Sequence, residues 1–328
     1  MRPVAFLAVI AFAATLAGQT PPATKGKAAP RFVPSKGTCL LVVGQDKASI
    51  DEYASRLKMT PGGVMAYTSV KRLEGLSAPE AAGGATQDAE YILRTYPNSV
   101  LQLGLYLVGV VEGVADGSYD ANLDKLGDWL KAARRPVYLR VGYEFDLPEN
   151  KYQPDQYIKA FRRVRDRVEA RGASNVAYVW HSYAATNSRT VADWYPGDAY
   201  VDWVGVSFFS TKQPHLETVA QFARVKGKPL MVAEATPRGL GTTKGRESWD
   251  GWFAPCLAYV KRHDARALCY IDRDWEALPR WQGKGWGDTR IAADPVVRAN
   301  WLKEVSAPRY LSATDGLFKT LGYVPPPE

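Results

Sequence analysis

The chain is poor in the residues that most often bind metals or form redox centres, with three histidines and three cysteines among its 328 residues. The histidines have no companions at metal-ligand spacing, so we expect no metal site. The first predicted strand exits through Gly44, Gln45 and Asp46 without a GxGxxG or Walker pattern, which argues against a nucleotide cofactor. No GxSxG motif is present, which argues against a serine hydrolase. The sequence thus predicts a protein without a cofactor.

The N-terminus lacks an apolar run long enough to span a membrane, but it has the pattern of an export signal. Arg2 is followed by an apolar run from Val4 to Ala17, shorter than the roughly 20 residues that a spanning helix needs. We predict a signal peptide over 1–18, a disordered leader rich in Pro, Ala and Lys over 19–37, and one folded domain over 38–328. The mature protein should therefore be secreted or periplasmic, without a membrane anchor.

Charge and cysteine content limit the partners and cross-links of the chain. The formal charge of +8 is spread among acidic residues rather than gathered in one block. This pattern predicts weak attraction to anionic surfaces or polymers and no nucleic-acid site. Three cysteines allow at most one disulfide: Cys256 could pair with Cys269, while Cys39 and Cys269 begin strands that a closed barrel would place side by side. The pairing stays open, and we expect a monomer.

Apolar, β-rich runs alternate with helical stretches along the chain after the leader. There are eight such runs: Cys39–Val43, Gly63–Thr68, Val100–Leu107, Val137–Gly142, Val176–Trp180, Trp203–Phe208, Pro229–Ala233 and Ala267–Ile271. Helical composition marks Pro79–Tyr96, Ala121–Ala133, Pro154–Arg171, Leu216–Val225 and Trp249–Arg262. Eight alternations favour a single closed (β/α)8 TIM barrel, of the α/β class, over an open doubly wound sheet.

In such a barrel the chemistry lies at the C-terminal ends of the strands. That rule selects polar and aromatic residues at five strand ends, namely Gln45, Asp46, Glu144, Asp146, His181, Glu234, Asp272 and Trp275. Asp46, Asp146 and Asp272 could bind substrate hydroxyls or cap the following helices, and capping is favoured for Asp46. We expect His181 to be a hydrogen-bonding neighbour of the carboxylates or of the substrate.

Two glutamates end strongly apolar strands. Glu144 ends the fourth run (PVYLRVGYEFD) and Glu234 ends the seventh (KPLMVAEATP). A carboxylate there costs several kcal/mol unless it is paired, hydrogen-bonded or protonated. Two carboxyl groups facing one cavity can act as acid and nucleophile in glycoside hydrolysis, about 5 to 5.5 Å apart if the anomeric configuration is retained. The alternative interpretation is that each glutamate forms a structural ion pair with an arginine at the barrel rim.

Arg140 lies on the same predicted strand as Glu144. Period-two alternation would place Arg140, Gly142 and Glu144 on one face, with Arg140 deeper and Gly142 leaving room between them. A buried guanidinium there would hold a carboxylate ionised, and Glu234 is the one that must stay ionised. Pairing of Arg140 with another acidic group low in the barrel is the alternative.

At these residues the sequence resembles the clan of (β/α)8 retaining glycosidases whose acid/base and nucleophile end strands four and seven, and within it glycoside hydrolase family 26, which includes β-mannanases. Three segments carry the resemblance: Arg140 four residues before Glu144, the stretch WYPGDAYVDWVGVSFF at 194–209, and Lys228–Pro229 followed by apolar residues and Glu234. The resemblance implies that Glu144 is the acid/base and Glu234 the nucleophile.

Two positions differ from the pattern of the family. Tyr143 stands where the family usually has His, and Phe208 or Phe209 stands where it has a Tyr that hydrogen-bonds the nucleophile. Another hydroxyl or imidazole must then contact the nucleophile. The candidates are Tyr143, Tyr106 and His181.

Aromatic residues follow the eighth strand. Trp275 stands where the clan commonly has a Trp that forms the floor of the subsite for the reacting sugar, and such a plate would stack on the apolar face of the sugar. Packing of Trp275 beneath a loop is the alternative. Trp281 and Trp286 lie in a Gly-rich stretch that predicts a long loop. They are therefore candidates for subsites farther from the reacting sugar.

These observations predict a secreted retaining glycosidase that cleaves a β-linked polysaccharide or oligosaccharide by double displacement. One alternative is a non-catalytic carbohydrate-binding protein on a glycosidase-like barrel, which the missing Tyr after strand six would favour. Another is a barrel enzyme acting on a substrate other than a glycan. That enzyme would have a pocket without an exposed aromatic plate.

Overall fold

Eight parallel strands form the centre of the computed structural model, which describes residues 29–186 and 188–326. We label them β1 to β8 in chain order: Cys39–Gly44, Gly63–Ser69, Val100–Tyr106, Val137–Val141, Val176–Ser182, Trp203–Phe208, Leu230–Ala235 and Ala267–Ile271. Each strand pairs with the next, and β8 returns to pair with β1, where Leu40 lies opposite Ala267. The predicted (β/α)8 barrel is therefore confirmed. The predicted signal peptide over 1–18 lies outside the described residues.

Side chains of the strands alternate between two hydrophobic layers. On β1, Leu41 packs in the layer between the strands and the helices, whereas Leu40 belongs to the layer inside the barrel. On β4, Leu139 lies in the outer layer and Tyr138 in the inner one. The alternation follows from the pleat of a strand, and it sends Arg140, two residues after Tyr138, into the barrel interior.

Helices surround the barrel wall. They span Lys47–Leu57, Ala89–Thr95, Val111–Asp116, Asp120–Ala132, Pro154–Ala170, Leu216–Lys226, Arg246–Ser248, Ala254–Arg262, Pro295–Val305 and Leu317–Thr320. A π-helical turn, Trp249–Phe253, precedes Ala254–Arg262, and short 3-10 turns lie at Pro148–Asn150, Val191–Trp194 and Ile291–Ala293. A two-residue strand, Tyr310–Leu311, pairs with the start of β1.

The predicted helix over Pro79–Tyr96 is wrong in its first half. Glu80–Ala82 and Ala85–Gln87 form an antiparallel hairpin instead, and only Ala89–Thr95 is helical. The two residues of the turn, Gly83 and Gly84, both have positive φ, at 66° and 92°. A two-residue hairpin turn of this kind needs such angles, so the paired glycines decide the local structure.

The segment before β1 closes the N-terminal end of the barrel. The phenolic O–H of Tyr138 donates to the carbonyl of Phe32 at 2.7 Å, and the indole N–H of Trp203 donates to the carbonyl of Arg31 at 2.8 Å. Arg31 also forms an ion pair with Glu169 at 2.9 Å. The predicted boundary at residue 38 is thus too late, because residues 31 and 32 already satisfy buried donors of the barrel.

A chain that begins at Gly37 should therefore unfold at a lower temperature than one that begins at Ala29. The shorter chain leaves the donors of Tyr138 and Trp203 without their partners, at about 1–3 kcal/mol each. For a domain of this size we expect a decrease in Tm of about 5 °C or more, measured by calorimetry. Equal Tm values for the two chains would contradict the stabilising role assigned to residues 31 and 32.

The three cysteines, Cys39, Cys256 and Cys269, are all buried and free. Cys39 belongs to the layer between strands and helices, whereas Cys269 faces the barrel interior. Adjacent strands therefore do not bring these two sulfurs together, because the side chains point to opposite sides of the wall. Across the part of the chain that the structure describes, no helix is both long and apolar enough to cross a membrane.

Candidate active site

Glu144 lies in a turn just beyond β4. Its φ is 56° and that of Gly142 is 53°, so the backbone leaves the strand at Val141 and the predicted alternation does not extend to Glu144. The amide of Asn150 donates to the carbonyl of Glu144 at 2.8 Å, and the backbone N–H of Phe145 donates to the carbonyl of His181 at 3.3 Å. These bonds hold a conformation that is unfavourable for a residue other than glycine.

Glu234 lies within β7 and is 7% exposed. A guanidinium N–H of Arg140 and the phenolic O–H of Tyr67 both donate to its Oε1, the latter at 2.9 Å. Arg140 and Glu234 form an ion pair in the barrel interior, as the face of β4 predicted. One carboxylate oxygen of Glu234 therefore has both a cationic partner and a second hydrogen-bond donor.

Two tyrosine rings enclose the guanidinium of Arg140. Its Cζ lies 4.9 Å from the ring centre of Tyr67 and 4.8 Å from that of Tyr143, and the side chain is fully buried. Its Nε and Nη2 have no hydrogen-bond partner among the described residues, so ring faces replace water there. Gly104 on β3 makes this arrangement possible, because a Cβ at that position would lie 2.9 Å from Nη2 of Arg140.

A chain of hydrogen bonds joins the two glutamates. Arg140 Nη1 lies 3.3 Å from His181 Nδ1, His181 Nε2 lies 2.9 Å from the hydroxyl of Ser207, and Ser207 donates to Glu144 Oε1 at 2.7 Å. Because a guanidinium can only donate, Nδ1 of His181 is the acceptor and Nε2 carries the proton. Burial and the charge of Arg140 lower the pKa of His181 well below its usual value, which keeps the ring neutral.

The environment of Glu144 favours its protonated form. Burial, followed by the negative charge of Glu234, raises the pKa of Glu144 to about 8, while Ser207 and Arg140 oppose the shift. No cation forms an ion pair with Glu144 among residues 29–186 and 188–326, in contrast to Glu234. The alternative interpretation, an ion pair at the barrel rim for each glutamate, therefore does not fit, because the one pair present lies in the barrel interior. At neutral pH Glu144 is largely protonated, whereas Glu234 is the glutamate with a cationic partner.

Three of the other predicted site residues, Tyr143, Tyr106 and Gln45, lie at or just beyond the C-terminal end of a strand. Tyr143 contacts Arg140, and Tyr106, which is 40% exposed, lies 6.1 Å from the ring of Tyr143 at the barrel mouth. Gln45 follows β1, and its carbonyl accepts a long, 3.5 Å hydrogen bond from the amide of Gln87.

The aspartates have structural partners. Asp46 caps the helix Lys47–Leu57 and pairs with Arg273 at 2.9 Å. Asp146 accepts from the hydroxyl of Ser182 and from the backbone N–H groups of residues 183 and 185. Asp272 is 1% exposed and accepts from the backbone N–H of Ile291. These contacts orient loops, and a substrate-binding role for Asp146 and Asp272 stays a prediction.

Trp275 is only 2% exposed and packs against Trp281 and Trp286, at centroid distances of 5.2 and 4.8 Å. Its indole N–H donates to the hydroxyl of Thr289 at 3.2 Å. Such burial leaves almost no ring surface for a sugar. Packing beneath the loop, the alternative interpretation, describes Trp275 better than the predicted subsite floor.

Tyr67 and Ser207 are the contacts that sequence reasoning missed. Tyr67 comes from β2 and occupies the role expected of a Tyr after strand six, instead of Tyr143, Tyr106 or His181. Tyr67 lies two residues before the C-terminal end of β2, so its position near a strand end is the signal that could have identified it. Ser207 lies opposite Glu234 in the β6–β7 register, a pairing between strands that the local sequence around Ser207 does not specify.

Removal of the Tyr67 hydroxyl, in Tyr67→Phe, should lower kcat by about 10- to 100-fold, since a hydrogen bond to a charged group contributes about 1.5–3 kcal/mol. Tyr96→Phe is a matched control, because it removes a hydroxyl that donates to a carboxylate, Asp51, outside the barrel mouth. The control should retain its activity. A Tyr67→Phe enzyme as active as the control would show that the contact is unimportant for turnover.

Among the described residues, no group of three or more His, Cys, Asp or Glu side chains is placed to hold a metal ion. The hypothesis of a non-catalytic carbohydrate-binding protein was favoured by the missing Tyr after strand six. Tyr67 supplies the hydroxyl that this position lacks, so that observation no longer favours the hypothesis. The site thus contains the parts of a two-carboxylate hydrolase.

Known proteins that are similar to this chain in sequence are glycosidases. The sequence model of glycosyl hydrolase family 26 matches residues 106–243. A beta-1,3-xylanase of Vibrio sp is 34% identical, over 89% of this chain and 70% of that protein, and a beta-1,3-xylanase of Alcaligenes sp is 32% identical, over 90% and 69%.

Solved structures show the same fold at lower identity. A family 26 β-mannanase of Bacteroides ovatus has a TM-score of 0.64 at 17% identity, over 86% of this chain and 93% of that one. An endo-β-1,4-mannanase of Cellulomonas fimi has a TM-score of 0.61 at 18% identity, over 86% and 74%. The chain belongs to glycosyl hydrolase family 26 and is a glycosidase that acts on β-linked polysaccharides.

Proposed function

We propose that this glycosidase hydrolyses a β-1,3-linked xylan with retention of anomeric configuration, with Glu144 as acid/base and Glu234 as nucleophile. The observation that carries the assignment is the contrast between the two glutamates. Glu234 accepts from Arg140 and Tyr67, whereas Glu144 is half-buried and has no cationic partner among the described residues. One group is prepared to attack and the other to give up a proton.

In the first step, the Glu234 carboxylate attacks the anomeric carbon while the bond from that carbon to the departing oxygen breaks. Glu144 transfers its proton to that oxygen, so the leaving sugar departs as a neutral alcohol and Glu144 becomes ionised. In the second step, Glu144 takes a proton from water, whose oxygen attacks the anomeric carbon and releases Glu234. Two inversions give net retention and return both groups to their starting states.

The substrate assignment rests on the two relatives named beta-1,3-xylanase, which match most of the chain. The mannanase structures, at 17% and 18% identity, support the fold alone. Tyr143 also departs from the family's usual His beside the acid/base, in agreement with a substrate other than mannan. We further propose that the enzyme is exported through the N-terminal signal over 1–18 and acts as a monomer.

Activity should fall as the pH rises through about 8, because the first step needs protonated Glu144. The Ser207 hydroxyl donates to the ionised form and so lowers the pKa of Glu144. Ser207→Ala should therefore move the alkaline limb of the kcat/KM profile to higher pH. Ser210→Ala, which removes a hydroxyl bonded only to the backbone N–H of Lys212 among the described contacts, should leave the limb in place. A limb that moves to lower pH in Ser207→Ala would contradict the proposed contact.

Proton NMR of the first products from β-1,3-xylan tests the reaction and the substrate together. The β-anomer should appear first and then convert to the α-anomer by mutarotation. β-1,4-Xylan and β-1,4-mannan, assayed at the same concentration, should release far fewer reducing ends. An initial α-product would overturn retention, and faster cleavage of mannan would overturn the xylan assignment.

A further inference from the structure

Three cations lie over tryptophan rings in the loops that follow β7 and β8. Cζ of Arg238 is 4.5 Å from the ring centre of Trp286, while Cζ of Arg280 and Nζ of Lys284 are 5.5 and 5.6 Å from that of Trp281. All three cations are exposed, whereas the two rings are partly buried. We call Arg238, Arg280 and Lys284 the cationic rim.

Arg238 and the packed rings of Trp281 and Trp286, 5.5 Å apart, connect the cationic rim to the end of β7. Arg238 follows Glu234 by four residues, and its Nη1 lies 3.4 Å from the hydroxyl of Tyr183. Tyr183 directly follows β5, and its backbone N–H donates at 2.6 Å to Asp146, two residues after Glu144. Trp286, beneath Arg238, packs against Phe209 at 5.3 Å, directly after β6.

The charges of the cationic rim are not neutralised within the protein. Among residues 29–186 and 188–326, none of the three cations forms an ion pair, although Arg290 nearby pairs with Asp288 and Asp274. The loop 275–288 contains two acidic residues, Glu276 and Asp288. Glu276 accepts from the backbone N–H of Gly283 at 2.8 Å, and Asp288 is bound to Arg290. The loop thus presents to solvent two cations that form no ion pair among the described residues, beside one exposed carboxylate, Glu276.

The loop is also held in place before any ligand binds. The indole N–H of Trp281 donates to the carbonyl of Gly83 at 3.3 Å, in the hairpin after β2. Gly84 approaches Arg280 so closely that a Cβ there would lie 3.1 Å from the Cβ of Arg280. Contacts of this kind reduce the entropy that would be lost on binding, so the cations are positioned in advance.

We propose that the cationic rim binds anionic substituents, carboxylate or sulfate ester groups, on the β-linked polysaccharide that the barrel cleaves. This inference rests on the proposed function and adds a substrate class to it. A neutral sugar would stack on a bare aromatic face, but here the ring faces carry guanidinium and ammonium groups. Guanidinium groups bind planar or tetrahedral oxyanions through paired N–H donors. The net charge of +8 favours the approach of such a polymer.

The test compares the wild-type enzyme with the triple variant Arg238→Gln, Arg280→Gln, Lys284→Gln on three polymers from one parent: β-1,3-xylan, the same xylan lightly sulfated, and the same xylan lightly carboxymethylated. The matched control is Arg246→Gln, an exposed arginine on the helix after the β7 loop that pairs with Asp250. Both kcat/KM and retardation of the intact enzyme in gels containing each polymer are measured, at low salt and at about 0.5 M salt, where surface attraction is screened.

The triple variant should lose about tenfold in kcat/KM and most of its retardation on the acidic polymers, since each exposed charge contact contributes about two- to threefold. The effect should disappear at high salt, and the neutral polymer and Arg246→Gln should show changes of less than about twofold. A loss confined to the sulfated or to the carboxymethylated polymer identifies the favoured anion. Equal values for variant and wild type on every polymer would overturn the inference.

The gel measurement also separates the two proposals. If the wild-type enzyme cleaves none of the three xylans, the proposed substrate fails. Retardation by the acidic polymers that is lost in the triple variant would still support the cationic rim in that case, and equal retardation of wild type and variant would refute it.

Discussion

Replacing Glu234 with alanine should lower kcat on β-1,3-xylan by about four orders of magnitude or more, because it removes the carboxylate that we propose attacks the anomeric carbon. The cavity left in Glu234→Ala can admit azide. Azide would attack from the vacated face while Glu144 protonates the departing oxygen, so the product should be the α-glycosyl azide. Chromatography and NMR of the products measure both effects.

The control for Glu234→Ala must address folding, since the change leaves the Arg140 guanidinium buried without its carboxylate. Breaking such a pair costs about 3–5 kcal/mol. Glu234→Gln keeps the volume and a carbonyl acceptor for Arg140 and Tyr67, so it should fold well and remain inactive. A folded Glu234→Gln enzyme with the wild-type kcat would rule out Glu234 as the nucleophile.

Replacing Glu144 with alanine should lower kcat/KM on xylan by about 10²- to 10⁴-fold, the usual contribution of a general acid. With a dinitrophenyl xylobioside as substrate, the rate of the first step should fall much less in Glu144→Ala, because this leaving group departs without a proton. Azide should then intercept the glycosyl-enzyme and give the β-glycosyl azide, the opposite anomer from that of Glu234→Ala. The alkaline limb of the pH profile should also vanish.

Glu149, exposed in the same loop, provides the matched control for Glu144. Glu149→Ala removes a carboxylate five residues away without touching the hydrogen-bond chain, so its kcat/KM should stay near the wild-type value. The assignment of Glu144 fails if the xylan and the dinitrophenyl substrate lose activity to the same extent, since proton donation matters only for the poorer leaving group.

The barrel and the contact between Arg140 and Glu234 could be predicted because both follow from short-range periodicity. Eight apolar runs define eight strands, and alternation on β4 turns Arg140 inward. Tertiary partners could not be predicted in the same way. Tyr67 reaches Glu234 across 167 positions of sequence, a distance at which no local pattern specifies a contact.

The structure differs from the predicted orientation of Glu144 and the predicted exposure of Trp275, and each difference has a physical cause. Glu144 leaves the strand through two left-handed residues, so its orientation is set by the turn and by Asn150 rather than by the pleat of β4. Trp275 occupies an expected position in the sequence, yet Trp281 and Trp286 cover it. Motif spacing locates a residue along the chain, but exposure depends on which loops fold over it.

The hydrogen-bond chain from Glu144 to Glu234 replaces hydrophobic filling at one end of the barrel interior. Apolar side chains of matched volume in place of the whole chain, both glutamates included, would avoid the cost of dehydrating these polar groups, and such replacements in other proteins often increase stability. A sturdier but inert barrel is therefore within a few substitutions of this sequence. The proposed catalysis thus requires a polar interior that thermal endurance alone would not require.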